Sequence, residues 1–166
     1  MKKLLFVLTF LLILSSCASC DKLFIPGDVP DGPSPLTITS EAGERTSDPL
    51  NYYWEKRKTG EKTEQTGLDP FSIEYDPLIV QPGEEIRFTF ADENKPWLMN
   101  LEFYQADGNG GYREAVYLSH KEGEDLLYPA PDEDGILVVN AIWPVWVNTG
   151  IKAEVTYAFY IWSAKG

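Results

Sequence analysis

Apolar and polar residues alternate most regularly near the end of the chain. From Ile151 to Trp162, one set of alternate positions is apolar, and the other set is largely polar with Tyr160 and Trp162 among its members. Successive side chains of a β-strand point to opposite faces, so this period of two predicts one long strand with a buried face. The preceding segment 136–143 is apolar on both sets of positions, which predicts a strand in the middle of a sheet.

Shorter segments earlier in the chain predict further strands. The glycine-rich segment 107–111 has the composition of a hairpin turn, and the polar segment 39–47 is expected to be a long loop. From residue 36 onward, no segment shows a convincing helical period. About seven to nine strands predict an all-β domain, an antiparallel β-sandwich or alternatively a small closed β-barrel. The clearest of the earlier strands are expected at 36–40, 52–58, 86–91, 97–103 and 112–118.

The amino terminus has the features of an export signal. Lys2 and Lys3 precede an almost unbroken apolar run at residues 4–14. This run has the length of the apolar core of a signal peptide, and it is too short to span a bilayer as a helix, which requires about 20 residues. Residues 1–16 are therefore expected to be removed before the domain folds.

Residues 14–17 read Leu-Ser-Ser-Cys, an apolar residue and two small residues before a cysteine. This segment resembles the lipobox of bacterial lipoproteins. The resemblance implies that Cys17 carries a diacylglycerol on its thiol and becomes the first residue of the mature chain. It also implies a lipid anchor in the cell membrane with the domain on the extracytoplasmic face, or in the outer membrane if the cell is Gram-negative.

Two alternatives at this segment remain open. The signal could be an ordinary secretory one cut near Ala18, or Cys20 could carry the lipid in place of Cys17. A redox role for the Cys-x-x-Cys spacing is disfavoured, because a dithiol needs two free thiols and a thioredoxin-like setting. No other cysteine follows, so no disulfide is expected to stabilise the domain.

Residues 17–35 are rich in proline, glycine and aspartate and show no regular period, which predicts a semi-extended linker. The organisation expected is thus a signal peptide at 1–16, the lipidated cysteine with its linker at 17–35, and one β-sandwich domain at 36–166.

Charge narrows the partners of this domain. The chain has a formal net charge of −12, and loss of Lys2 and Lys3 with the signal makes it −14. Nucleic-acid binding requires a basic surface, and a polybasic attachment to anionic lipid requires the same, so both are excluded. The hydrophobic fraction of 43% and the aromatic fraction of 13% exclude a disordered chain.

The second half of the chain shows a further resemblance. Its features are the segment PGEEIRF, a G-x-x-x-V-x-A-x-W pattern that ends at Trp143, and an alternating last strand. Over residues 78–162 the chain resembles immunoglobulin-like and fibronectin-type domains, as well as small extracytoplasmic domains of membrane-anchored bacterial proteins. The Cys-Trp-Cys pattern of antibody domains is absent, so the resemblance implies an architecture and no particular activity.

Residues with catalytic or metal-binding chemistry are few. His120 is the single histidine, lies in a polar segment expected to be a loop, and has no serine elbow to form a triad with. One histidine without a nearby cysteine cannot build a zinc site, and we expect no cofactor. Calcium binding by the acidic loops remains a minor alternative. The segment that begins at Asp107 is not an EF-hand loop, because Leu118 occupies the position where an EF-hand requires glutamate.

Five tryptophans suggest where a ligand would bind. Trp143 and Trp146 flank Pro144, which interrupts strand pairing, so they are the candidate ligand-binding residues if the chain bends there. The sequence therefore predicts a non-enzymatic, membrane-anchored domain that binds a protein partner or a cell-surface polymer. The alternative is a carbohydrate-binding module that uses an aromatic platform.

Overall fold

The computed structural model describes residues 31–91, 95–121, 127–143 and 150–164, with the backbone alone at 114–117 and 119–121. These residues form strands and one short 3₁₀ helix at Pro70–Ser72. The strands are β1 Leu36–Ser40, β2 Gly43–Ser47, β3 Asn51–Lys56, β4 Lys62–Gln65, β5 Leu78–Val80, β6 Glu85–Phe90, β7 Leu98–Ala106, β8 Tyr112–Lys121, β9 Leu127–Pro129, β10 Gly135–Trp143 and β11 Ile151–Ser163.

The strands form two separate sheets that pack face to face. The smaller sheet has the order β2-β1-β6-β9, and the larger one has the order β4-β3-β11-β10-β7-β8 with β5 beside β11. The prediction of an all-β sandwich is confirmed, and the alternative of a closed barrel is wrong because each sheet keeps its own edges. The β5–β11 pair is parallel, whereas the other pairs are antiparallel.

The later strands form one connected unit across both sheets. In the larger sheet β8, β7, β10 and β11 are neighbours in that order, and in the smaller sheet β6 pairs with β9. Strands β1 to β4 precede this unit and extend both sheets as two additional hairpins.

One apolar core fills the space between the sheets. Alternate residues of β11 point inward from Ile151 to Ile161, as the period of two predicted. β10 lies between β11 and β7, which confirms its predicted position in mid-sheet. Gly135 begins β10 at a position where the neighbouring strand β7 leaves no room for a side chain. A Cβ atom there would lie 2.3 Å from the Tyr104 carbonyl oxygen.

Three local predictions are wrong. Residues 39–47 do not form a long loop, because β1 and β2 pair in register around a tight turn at residues 41–42. His120 lies in β8 opposite Met99, and not in a loop. The strand count is also higher than seven to nine, partly because β4 is wholly polar and gives no apolar period. Polar residues form strands here because a neighbouring strand supplies backbone hydrogen bonds.

The last part of the linker contacts the domain. Lys56 forms an ion pair with Asp31, and the buried Tyr157 donates its hydroxyl to the Ser34 carbonyl oxygen at 2.8 Å. The backbone NH of Ala91 reaches the Pro35 carbonyl oxygen at 3.4 Å. Segment 31–35 is therefore attached to the sandwich, so domain contacts begin before Leu36.

Candidate functional site

The outer face of the larger sheet carries the exposed rings of this domain. Even-numbered residues of β11 from Lys152 to Trp162 point outward, and those of β10 and β7 lie beside them through the antiparallel register. The outward positions are charged near Lys152 and aromatic near Trp162. These two ends lie roughly 33 Å apart along the strand, because each strand residue advances about 3.3 Å.

The segment between β4 and β5 covers the middle of this outer face. Asp69 caps the 3₁₀ helix, with its Oδ1 atom accepting from the Phe71 NH at 3.0 Å and its Oδ2 atom from the Ser72 hydroxyl at 2.9 Å. Asn51 of β3 holds the start of the segment by bonding both the NH and the carbonyl oxygen of Leu68. The apolar residues of the covering segment pack on the sheet and form a second, smaller core with it. This core consists of Leu50, Ile73, Tyr75, Tyr104, Ile136, Val138, Ala158 and Tyr160.

Several aromatic rings pack together around the 3₁₀ helix of this covering segment. The Phe71 ring centroid lies 4.9 Å from that of Tyr104, edge to face, and 5.3 Å from that of Tyr112. Burial raises the pKa of Tyr75 to about 12, with smaller contributions from Asp69 and Tyr112. Burial likewise raises the pKa of Tyr160. Both phenols are therefore neutral at physiological pH, and the Tyr75 hydroxyl donates to the Pro70 carbonyl oxygen at 2.9 Å.

Trp162 is the most exposed tryptophan of the described residues, with half of its surface accessible. It is directly paired with Ile79 of β5, which is 42% exposed. Together with Asp134, Ser163 and Ala164 they line a shallow depression of about 530 Å³, which we call the Trp162 depression. The Asp134 carboxylate is fixed there, because its Oδ1 atom accepts a 2.9 Å hydrogen bond from the Ser163 NH.

Phe71, Tyr112 and Trp162 are each at least 37% exposed, and we call them the aromatic surface. Backbone contacts connect the part of the sheet that carries Trp162 with the part that carries Tyr112. The Ala106 NH donates to the Asp134 carbonyl oxygen at 2.9 Å, and Ala106 is paired with Tyr112 of β8. Three exposed rings at one end of one sheet are more than the scattered single apolar residues of an ordinary protein surface.

A polar network crosses the same sheet next to this cluster. The Thr156 hydroxyl bonds Asn140 Oδ1 at 2.8 Å, Asn140 Nδ2 donates to Glu102 Oε1 at 3.4 Å, and the Tyr104 hydroxyl donates to Glu102 Oε2 at 2.7 Å. Asn100 lies opposite Asn140, and its Oδ1 atom is buried and has no hydrogen-bond partner among the residues that the structure describes. The network holds the Tyr104 ring in place, so Phe71 packs against a rigid support.

The other end of the outer face is charged. Tyr53 donates its hydroxyl to Glu55, and this hydrogen bond raises the pKa of the Tyr53 phenol and lowers the pKa of the Glu55 carboxyl. Lys62 and Lys152 lie 5.9 and 5.3 Å from the centroid of the Tyr53 ring. Each cation is within the distance at which it is attracted to the face of an aromatic ring. Tyr53 is therefore engaged by neighbouring charges.

The turn that begins at Asp107 has a structural role. Asp107 Oδ1 accepts hydrogen bonds from the NH groups of Asn109 and Gly111, which close the hairpin turn and lower the pKa of its carboxyl. Among the residues described, no three acidic, histidine or cysteine side chains converge to hold a metal ion. Residues 122–126, which contain a second predicted acidic loop, lie outside them.

Of the residues predicted to bind a ligand, Trp143 lies in the core and is 2% exposed. Its ring centroid is 5.5 Å from that of Trp54 and 6.0 Å from that of Phe90. Trp143 therefore cannot form an exposed platform, and the prediction for this residue is wrong, because it occupies an inward position of β10. Trp146 and the predicted lipidation site Cys17 lie outside the described residues.

Sequence reasoning missed Trp162 as a candidate. The signal was present, since Trp162 falls on the outward set of alternate positions that begins with Lys152. An aromatic residue on that set has no opposite sheet to pack against. Phe71 and Tyr112 gave no comparable signal, because their proximity depends on how the segment before β5 folds back over the sheet.

No protein-family model matches this sequence, and the comparisons with curated proteins and with solved structures found no significant similarity. The part of the chain that the structure describes contains no helix with the length and hydrophobicity of a transmembrane segment.

Proposed function

We propose that this chain is an extracytoplasmic lipoprotein, anchored through lipid on Cys17, with an immunoglobulin-like β-sandwich that binds a protein partner or a cell-surface polymer without catalysing a reaction. The lipid anchor is supported by the order of three features: the basic residues Lys2 and Lys3, the apolar run at 4–14, and the lipobox-like segment at 14–17. The observation that carries the binding role is the aromatic surface, which exposes Phe71, Tyr112 and Trp162 at one end of a rigid sheet. Exposed apolar clusters of this kind mark interaction sites.

The linker sets how far the binding surface can lie from the membrane. Thirteen residues, and hence fourteen residue steps, lie between Cys17 and Asp31, which is the first described residue that contacts the sandwich. A fully extended chain of that length spans at most roughly 45–50 Å, at 3.3–3.6 Å per residue. A lipid-anchored domain on this linker would therefore reach partners close to the membrane, within the layer of wall or periplasm next to it.

The anchor is tested by labelling producing cells with an alkyne fatty acid. We expect the label on the parent chain and on a Cys20→Ser variant, and no label on a Cys17→Ser variant, which should also leave the membrane fraction. The Cys20→Ser chain is the matched control, because it removes a neighbouring thiol and keeps the lipobox. Labelling that persists in Cys17→Ser and disappears in Cys20→Ser would contradict the assignment.

The binding role is tested with the Cys17→Ala chain, so that lipid insertion contributes nothing to sedimentation. We expect this chain to co-sediment with cell envelopes of the producing bacterium and the Trp162→Ala variant to bind roughly tenfold more weakly. The control is Leu68→Ala, which removes another exposed apolar side chain next to Asn51. No binding by the parent, or equal loss in both variants, would show that the aromatic surface is not the binding site.

A further inference from the structure

The Trp162 depression combines an exposed ring with a fixed carboxylate. The indole of Trp162 is half exposed, whereas Trp54 and Trp143 are nearly inaccessible. Asp134 is held beside Trp162 by the Ser163 NH, and no second hydrogen bond to its carboxylate is found among the described residues. The depression thus offers a flat apolar surface next to an oriented hydrogen-bond acceptor.

This combination disfavours a purely apolar protein surface as the occupant. Such a partner would remove water from the Asp134 carboxylate and supply no donor, and burying an unpaired charge is strongly unfavourable. A pyranose ring matches both parts of the site. Its CH groups can lie on the aromatic face of Trp162, while its hydroxyl groups can donate to the carboxylate.

Charge decides which saccharides fit. The chain carries 26 acidic against 14 basic residues, and the described residues that line the depression include Asp134 but no lysine or arginine. An anionic polysaccharide would be repelled and would find no cation among those residues to pair with. The depression is therefore suited to neutral sugars.

The rest of the aromatic surface lies along the same row of the sheet. Trp162 of β11, Asp134 before β10, Ala106 of β7 and Tyr112 of β8 are successive neighbours across the strands. Three strand spacings of about 4.8 Å place Tyr112 roughly 14 Å from Trp162. Phe71 packs on Tyr112, so a second aromatic contact lies about three sugar units from the first.

We infer that the aromatic surface binds a neutral oligosaccharide chain, with one pyranose stacked on Trp162 and hydrogen-bonded to Asp134, and a later unit in contact with Phe71 and Tyr112. This inference rests on the proposed binding function and names its ligand class. It requires an oligosaccharide of four or more units for full affinity, because a disaccharide covers only the Trp162 depression.

Calorimetric titration of the Cys17→Ala chain tests this inference. The probes are di- and hexasaccharides of β-1,4-linked glucose, xylose, mannose and N-acetylglucosamine, together with a heparin hexasaccharide. We expect at least one neutral hexasaccharide to bind, and the heparin fragment not to bind. The matching disaccharide should bind roughly tenfold more weakly than its hexasaccharide, since it loses the second aromatic contact.

Variants separate the two contacts. Trp162→Ala should weaken both ligands about tenfold or more, whereas Phe71→Ala should weaken only the hexasaccharide. Asp134→Asn keeps an oxygen that can accept from the Ser163 NH, and it should weaken both ligands roughly three- to tenfold through loss of the charge. Leu68→Ala is the control and should bind like the parent, with thermal denaturation confirming that each variant is folded.

The outcomes distinguish this inference from the general proposal. Envelope binding that depends on Trp162, without binding to any neutral hexasaccharide, overturns the saccharide and keeps the binding function. Absence of envelope binding as well overturns both. Stronger binding of heparin than of every neutral sugar, or salt-sensitive binding of a lysine-rich peptide that Trp162→Ala abolishes, also overturns the saccharide assignment.

Discussion

Replacement of Trp143 by alanine tests whether this tryptophan is a core residue, as the structure has it. The side chain is 2% exposed and makes edge contacts with Trp54 and Phe90 at centroid distances of 5.5 and 6.0 Å. Removing a buried tryptophan typically destabilises a domain by about 3–5 kcal/mol, through lost transfer free energy and the cavity that remains. Each aromatic pair contributes about 0.5–1.5 kcal/mol beyond its buried area. We therefore expect a loss of about 4 kcal/mol.

Trp162→Ala is the matched control, since it deletes the same side chain from the surface. Half of the Trp162 side chain is already in water, so its removal should change stability by about 1 kcal/mol or less. For a domain of this size, 4 kcal/mol corresponds to a decrease in Tm of roughly 12–16 °C. The unfolding free energy should be measured by urea denaturation followed by far-ultraviolet circular dichroism, because tryptophan fluorescence changes with the substitutions themselves.

Two results would refute this reasoning. A loss below about 1 kcal/mol for Trp143→Ala would mean that its ring does not fill the core. An equal loss for Trp162→Ala would mean that the outward side of β11 is covered. The slope of the unfolding free energy against urea concentration must first be shown to be the same in the parent and the variants. A different slope indicates a changed unfolded or native state, and the urea midpoints could then not be compared.

Three further predictions concern contacts in the fold. Gly135→Ala should destabilise the domain by about 2 kcal/mol or more in thermal denaturation, since the new Cβ atom would lie 2.3 Å from the Tyr104 carbonyl oxygen; an unchanged Tm would contradict this packing. Tyr157→Phe should cost about 1 kcal/mol and speed proteolysis before Leu36 by removing the hydrogen bond to Ser34, and unaltered cleavage would argue against linker attachment. Backbone hydrogen bonds lower the pKa of Asp107 below its ordinary value of 3.8, so its stabilisation is complete above that pH and is lost as the pH falls through the folded pKa. Asp107→Ala should therefore flatten the decline of stability below pH 4 in acid titrations, whereas an identical decline in the variant would refute this role.

Local pattern identified most of the strands because burial on a sheet follows a period of two. The alternation in β6, β7 and β11 predicted both the strand and the face that lies in the core. The same pattern failed for β2 and β4, whose residues are polar on both faces because they lie at the edges of their sheets. Edge strands are held mainly by backbone pairing, which leaves no apolar signature in sequence.

The candidate site was less accessible to sequence reasoning. Trp143 and Trp162 are both tryptophans in predicted strands, and composition alone does not distinguish a core ring from a surface ring. The alternation of β11 places Trp162 on the outward face, but both faces of β10 are apolar, so assigning Trp143 to the core required the position of the opposite sheet. The proximity of Phe71 to Tyr112 depends on a contact between residues about 40 positions apart, and no local pattern encodes such a contact.

The sequence by itself determined the all-β class, the acidic character of the chain and the alternating faces of its long strands, and it predicts an export and lipid signal at residues 1–17. These properties depend on residues close together in sequence, whose preferences add up locally. Only the tertiary structure decided the number and order of the strands, the burial of Trp143, the attachment of the linker to Tyr157, and the placement of Trp162 beside Asp134 and of Phe71 beside Tyr112. Each of these depends on which distant segments pair and which sheet face is covered, and chain folding settles both through contacts that no single segment contains.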